Sequence, residues 1–87
     1  MIATLLKFNG GPIRDDLFKR FIETTKGVVA SYQLETPGDP TGNAVFTVWQ
    51  DEAARDAYLA SSQVKPEVDK AYPNQARTTF QVRNSKT

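Results

Sequence analysis

The chain has 87 residues, the size of one small domain that buries a modest share of its surface and gains from association with a partner. Its 11 basic and 10 acidic residues leave a net charge of +1, and the basic residues are scattered, so nucleic acid is not an expected partner. With no Cys and no His, a disulfide framework, a thiolate nucleophile, a histidine base and the usual zinc ligands are excluded, and no metal site is expected.

Ile2 to Phe8 predicts a first strand with two largely apolar faces, suited to the middle of a sheet. Asn9-Gly10-Gly11 breaks it. Pro12 stands where the first turn of a helix accepts proline, Asp15 and Asp16 follow, and Ile13, Leu17, Phe18, Phe21 and Ile22 recur at helical spacing. A helix from about Pro12 to Lys26, stopped by Gly27, is predicted. Val28 to Glu35 alternates Val28, Ala30, Tyr32 and Leu34 against Val29, Ser31, Gln33 and Glu35, the pattern of a half-exposed strand near an edge. Thr36 to Asn43, with two prolines and two glycines, predicts an irregular, mobile hairpin loop. It is no phosphate loop, because no Gly-Lys-Ser/Thr follows and no helix opens at its end.

Ala44 to Gln50 predicts a third strand, apolar on both faces, that runs without a loop into Asp51 and Glu52, the acidic start of a second helix. Ala53, Ala54, Ala57 and Ala60 let that helix pack closely on the sheet, and Tyr58 is its one bulky aromatic. Pro66 interrupts it, and a further turn to Ala71 carries Val64, Val68 and Tyr72 at i, i+4 and i+8 before Pro73. Ala76 to Arg83 predicts a last strand with one apolar face, Ala76, Thr78, Phe80 and Val82. Residues 1–84 then form one domain, and 85–87 a polar tail that frays. No apolar run approaches the ~20 residues of a membrane span. The opening Ile2-Ala3-Thr4-Leu5-Leu6 lacks a basic start and a small-residue cleavage site, so a cytoplasmic chain with no membrane partner is expected.

Strand, helix, strand, strand, helix, strand is the order of an α+β, ferredoxin-like βαββαβ fold: a four-stranded antiparallel sheet with the first and third strands central. Helices cover one face only. The other would carry Trp49 or Phe46, with residues of the first strand, into water, and so large an apolar patch calls for a second copy stacked sheet to sheet. A homodimer is expected.

Phe46-Thr47-Val48-Trp49-Gln50-Asp51-Glu52-Ala53, followed by Tyr58-Leu59-Ala60-Ser61, resembles the antibiotic-biosynthesis monooxygenase-like family of dimeric α/β barrels, in which a hydrophobic strand ends in Trp before an acidic helix start. Lys26-Gly27-Val28-Val29-Ala30-Ser31-Tyr32 is similar to the family's glycine between first helix and second strand, and Thr78-Thr79-Phe80-Gln81-Val82 to its final strand. The opening Thr4 to Pro12 is also similar to a neighbouring group of small monooxygenases with a strand-Asn-Gly-Pro start. On this resemblance Trp49 matches the strand-end tryptophan, and Tyr58 the helix position where haem-degrading relatives carry an aromatic. The departures fall at Val68, near the haem-ligating histidine, at Leu5, near a strand-one asparagine, and at Val45, near the amide that quinol-oxidising members use. An aromatic hydroxyl of the second helix is shifted one turn, to Tyr58. Haem degradation is therefore not expected.

The function implied is that of a cofactor-independent monooxygenase-like protein acting on, or binding, a small aromatic or apolar molecule. Such chemistry asks the protein to orient an electron-rich ring and stabilise its oxyanion, which hydrogen-bond donors can do without His or Cys. Trp49, Tyr58 and Tyr72 are candidates for the pocket wall, and Asn9, Arg55 and Arg77 for polar anchors. Each has a plainer reading as well: Trp49 plugs the join of sheet and helix, Tyr58 fills a groove, Tyr72 packs a helix end, and Arg77 and Arg83 are solvated. The alternative is a non-catalytic ligand-binding or dimerisation module of the same fold. An RNA-binding domain shares the element order, but Asn43 to Trp49 lacks the basic-Gly-aromatic start it would need.

Overall fold

β1 (Ile2–Phe8) lies at the centre of the structure, a computed structural model that describes residues 1–8 and 14–86. It is followed by α1 (Asp15–Thr24), β2 (Val28–Thr36), β3 (Asp39–Trp49), α2 (Glu52–Ser61), α3 (Lys65–Ala71) and β4 (Gln75–Gln81). The strands form one sheet in the order β2-β3-β1-β4 with every pairing antiparallel, as the ferredoxin-like reading requires. The break at Asn9-Gly10-Gly11, the helix start at Pro12 and Ile13, and the last tail residue, Thr87, lie outside the described residues.

α1 is shorter than its apolar spacing suggests. Its chain leaves the helix at Thr25, which is extended at φ −105° and ψ 123°, because two successive β-branched threonines favour strand geometry over another turn. Asp51 caps α2, its carboxylate accepting from the Ala54 amide at 2.9 Å. α3 opens with Pro66 in its first turn. The predicted hairpin loop is instead a tight turn, a correction: Thr36 pairs with Asp39 around Pro37-Gly38, and Gly38 has φ 79°. Proline then glycine is the pair a type II turn selects, and it extends both strands beyond their predicted ends.

Register fixes which way each side chain faces, since residues alternate across a strand. Ile2, Thr4, Leu6 and Phe8 oppose Trp49, Thr47, Val45 and Asn43 on the face beneath the helices. Trp49 is 2% exposed there, so the residue carried on the open face is Phe46. The unbroken alternation predicted for β2 fails after Val28, because the register shifts between Val28 and Ala30. A bulge adds one residue and reverses all that follow. Ser31 and Gln33 therefore turn under the helices, while Ala30, Tyr32 and Leu34 join the open face. β4 is likewise the reverse of a half-buried edge strand: Ala76, Thr78 and Phe80 lie on the open face, and Arg77 and Thr79 on the helix face.

Gly27 joins α1 to β2 at φ 81°, and a Cβ placed there would overlap the Cβ of Ala54 on α2. Its carbonyl accepts from the Gln50 amide at 2.8 Å, tying this turn to the end of β3. Gly27→Ala combines left-handed strain with overpacking and should cost about 2–4 kcal/mol. Gly38→Ala shares the positive φ but meets nothing within 4 Å, and should cost only about 1 kcal/mol. Thermal unfolding of the two variants side by side separates strain from collision.

Candidate functional site

Two groups of buried side chains hold the helices to the sheet. One centres on Ile2, Phe21, Trp49 and Val64, the other on Phe8, Leu17 and Tyr72, and Val68 packs against both. In the first, Phe21 meets Trp49 and Tyr58 edge-on at ring-centroid distances of 5.9 and 5.1 Å, and Trp49 lies 5.6 Å from Tyr58. In the second, Phe8 and Tyr72 stack at 4.3 Å. The groups do not close on one another, and between them is a cavity of about 60 Å³. As one water needs roughly 10–15 Å³ on this measure, the space suits a few waters or a single small ring.

The cavity floor is polar for a physical reason written into the register. Ser31, Thr47, Thr4 and Thr79 stand opposite one another across all four strands on the helix face. Ser31 and Thr47 share a hydroxyl hydrogen bond at 2.9 Å, and the Trp49 indole N–H donates to Thr4 Oγ1 at 3.0 Å. Thr4 and Thr47 are buried at 6% and 3% exposure, and both face the cavity, as do Gln33 and Asn43. None of these four was singled out from sequence. The alternation of each strand contains the signal, one hydroxyl at the middle of four strands, but only the register shows that they form a row.

The structure brings Trp49, Tyr58, Tyr72, Arg55 and Arg77 to this one cavity, from β3, α2, α3's end and β4. Asn9 lies outside the described residues. Trp49 is part of the wall, and its N–H is committed to Thr4. Burial raises the Tyr58 hydroxyl above the usual tyrosine value, Arg77 working against that shift and Asp69 with it. Burial likewise raises Tyr72, opposed by a hydrogen bond from the Arg14 backbone. Both hydroxyls are therefore protonated at neutral pH, placed to donate and not to act as bases.

The arginines differ. Arg14, at the cavity edge, is bound by two hydrogen bonds of 2.9 and 2.7 Å to Asp16, whose carboxyl is held down at about 2, first by those bonds. Arg55 bonds its neighbour Asp56 at 2.9 Å and reaches Thr79 at a long 3.4 Å. Arg77 is exposed, in keeping with its plainer reading as a solvated charge, and it also lines the cavity edge because the helix face of β4 is its polar face. Among the described residues it forms no ion pair, no Asp or Glu lines the cavity, and no group of acidic side chains could hold a metal ion. No helix among them is long and apolar enough to cross a membrane.

No family model matches the chain, and no curated protein matches it. Solved structures do. SnoaB, a cofactor-independent oxygenase from Streptomyces nogalater, is similar with a TM-score of 0.79 and 19% identity over 97% of this chain and 94% of its own. A protein described as an antibiotic biosynthesis monooxygenase gives 0.71 at 13% identity, over 97% of this chain and 100% of its own. A mutant of MhuD with two manganese protoporphyrin IX molecules bound per active site gives 0.64 at 16% identity, over 100% and 99%. At these identities the likeness establishes a shared fold: the chain has the ferredoxin-like α+β fold of the antibiotic-biosynthesis monooxygenases.

Proposed function

We propose that the chain is a single-domain member of the antibiotic-biosynthesis monooxygenase-like family, homodimeric, and that its cavity takes a small aromatic molecule for oxygenation without metal or flavin. The observation that supports this most is the cavity itself, walled by Trp49, Tyr58 and Tyr72 with hydroxyls and amides at its floor. An apolar pocket with a few convergent polar groups is what a small-molecule site requires. In such a reaction the electrons come from the substrate: oxidation of a ring CH₂ to C=O by dioxygen releases one water. The chain's part is to hold the ring in a dry space and to donate hydrogen bonds to its developing oxyanion, for which the Tyr58 hydroxyl, the Gln33 amide and Arg77 are placed.

The amide expected at the position of Val45 has a neighbouring substitute. Gln33 stands directly opposite Val45 on β2, and both line the cavity. Haem is not part of the proposal. Val68 presents an apolar side chain to the cavity, Leu5 lies on the open face, and the chain has no His.

The homodimer rests on the open face. Tyr32, Phe46 and Leu5 form one row across it, and Ala30, Val48, Ala3 and Phe80 the next. Tyr32, Leu34 and Phe80 are 56%, 43% and 47% exposed in a single copy, an apolar surface that a second sheet would cover.

Oxygen uptake with a panel of hydroquinones and phenols tests the catalytic reading, and uptake above buffer that falls at least about tenfold in Gln33→Ala is the expected result. A thermal shift with these compounds but no uptake would leave the second reading, a ligand-binding module of the same fold.

A further inference from the structure

The cavity is asymmetric in charge. Among the described residues three arginines reach it and no carboxylate does, and yet the whole chain carries only +1. Two of the three meet at one rim. Arg77 and Thr79 share the helix face of edge strand β4, and Arg55 of α2 extends to Thr79. Tyr58, one turn beyond Arg55, lines the same cavity as Arg77. Asp56, which pairs with Arg55, does not face the cavity. Asp69 of α3, whose charge acts on Tyr58, is engaged by Lys65 at 2.6 Å and by Gln75 at 3.1 Å. Much of the remaining wall is apolar, with Leu6, Phe8, Leu17 and Val45, and Leu6 stands directly opposite Arg77 across the strands.

An arginine at the mouth of an apolar pocket, with no carboxylate of its own to bind, is suited to a planar anion, because its fork of N–H groups matches a carboxylate in two parallel hydrogen bonds. Tyr58 or Gln33 suffices for a neutral phenol, whereas an anion also draws on the Arg77 guanidinium. We infer that the ligand of this cavity is an aromatic carboxylate, its ring between the two core clusters and its acid group on Arg77 at the β4 rim. The inference rests on the reading of the cavity as a ligand site and adds the ligand's charge.

Isothermal titration of the full chain with benzoate and 4-methylbenzoate, each beside its neutral amide and with phenol as the phenolic arm, separates the two. The expected result is that one or both acids bind at least about tenfold more tightly than their amides and than phenol. The preference should disappear in Arg77→Ala and be largely restored in Arg77→Lys, with circular dichroism showing all three chains folded. Amide or phenol binding as tightly as the acid, or an acid preference unchanged in Arg77→Ala, would overturn the inference and leave the cavity a ligand site. No binding by any of the five compounds would overturn both.

Discussion

A chain carrying Tyr32→Glu and Phe80→Glu together is expected to sediment as a monomer at micromolar concentrations where the natural chain sediments as a dimer. The two positions lie on β2 and β4, opposite edges of the sheet, and both face away from the helices. At 56% and 47% exposure in the single copy, their replacement removes little of the protomer's own core, so its melting should change by less than about 1 kcal/mol. In a stacked pair of sheets, each carboxylate would be buried without a partner, at a cost of several kcal/mol apiece. Two per protomer should raise the dissociation constant by at least about a thousandfold. A natural chain that itself sediments as one copy at these concentrations would refute the proposed dimer, whatever the variant does.

Trp49→Ala should be the most damaging single substitution in the core. The indole is 2% exposed, touches Phe21 and Tyr58, and bonds Thr4. Removing it should cost about 3–5 kcal/mol, which in a domain of this size lowers the melting temperature by on the order of 20 °C. Trp49→Phe keeps a ring but loses the N–H and strands the buried Thr4 hydroxyl, for about 1–3 kcal/mol. Because the indole N–H is already donated within the protein, Trp49→Phe should leave the affinity of a ligand that binds the natural chain within a few-fold. A variant that melts like the natural chain yet no longer binds would show the opposite, an indole that serves the ligand.

Much of the architecture is legible in the residues. Val64, Val68 and Tyr72 mark α3 by their spacing, Asp51 and Glu52 mark the start of α2, and the two apolar faces of Ile2 to Phe8 mark a central strand, because each depends on periods of 3.6 or 2 within one segment. Trp49, Tyr58 and Tyr72 could be named for the same reason, as large aromatics on the faces such periods bury. The site's polar half could not. Ser31 and Gln33 turn toward the helices because of a bulge at Val29, and no local pattern announces it.

The order and type of the elements and the ferredoxin-like sheet they form are readable from the residues, since hydrophobic periodicity and turn chemistry act over a few neighbouring residues. Only the packed sheet shows that Trp49 faces the helices and Phe46 the open side, that Thr4 and Thr47 of a four-strand hydroxyl row line a cavity, and that Arg77 lies on the helix face at its edge. Those facts depend on strand register, and a shift of one residue, as at the β2 bulge, sends every later side chain to the other face.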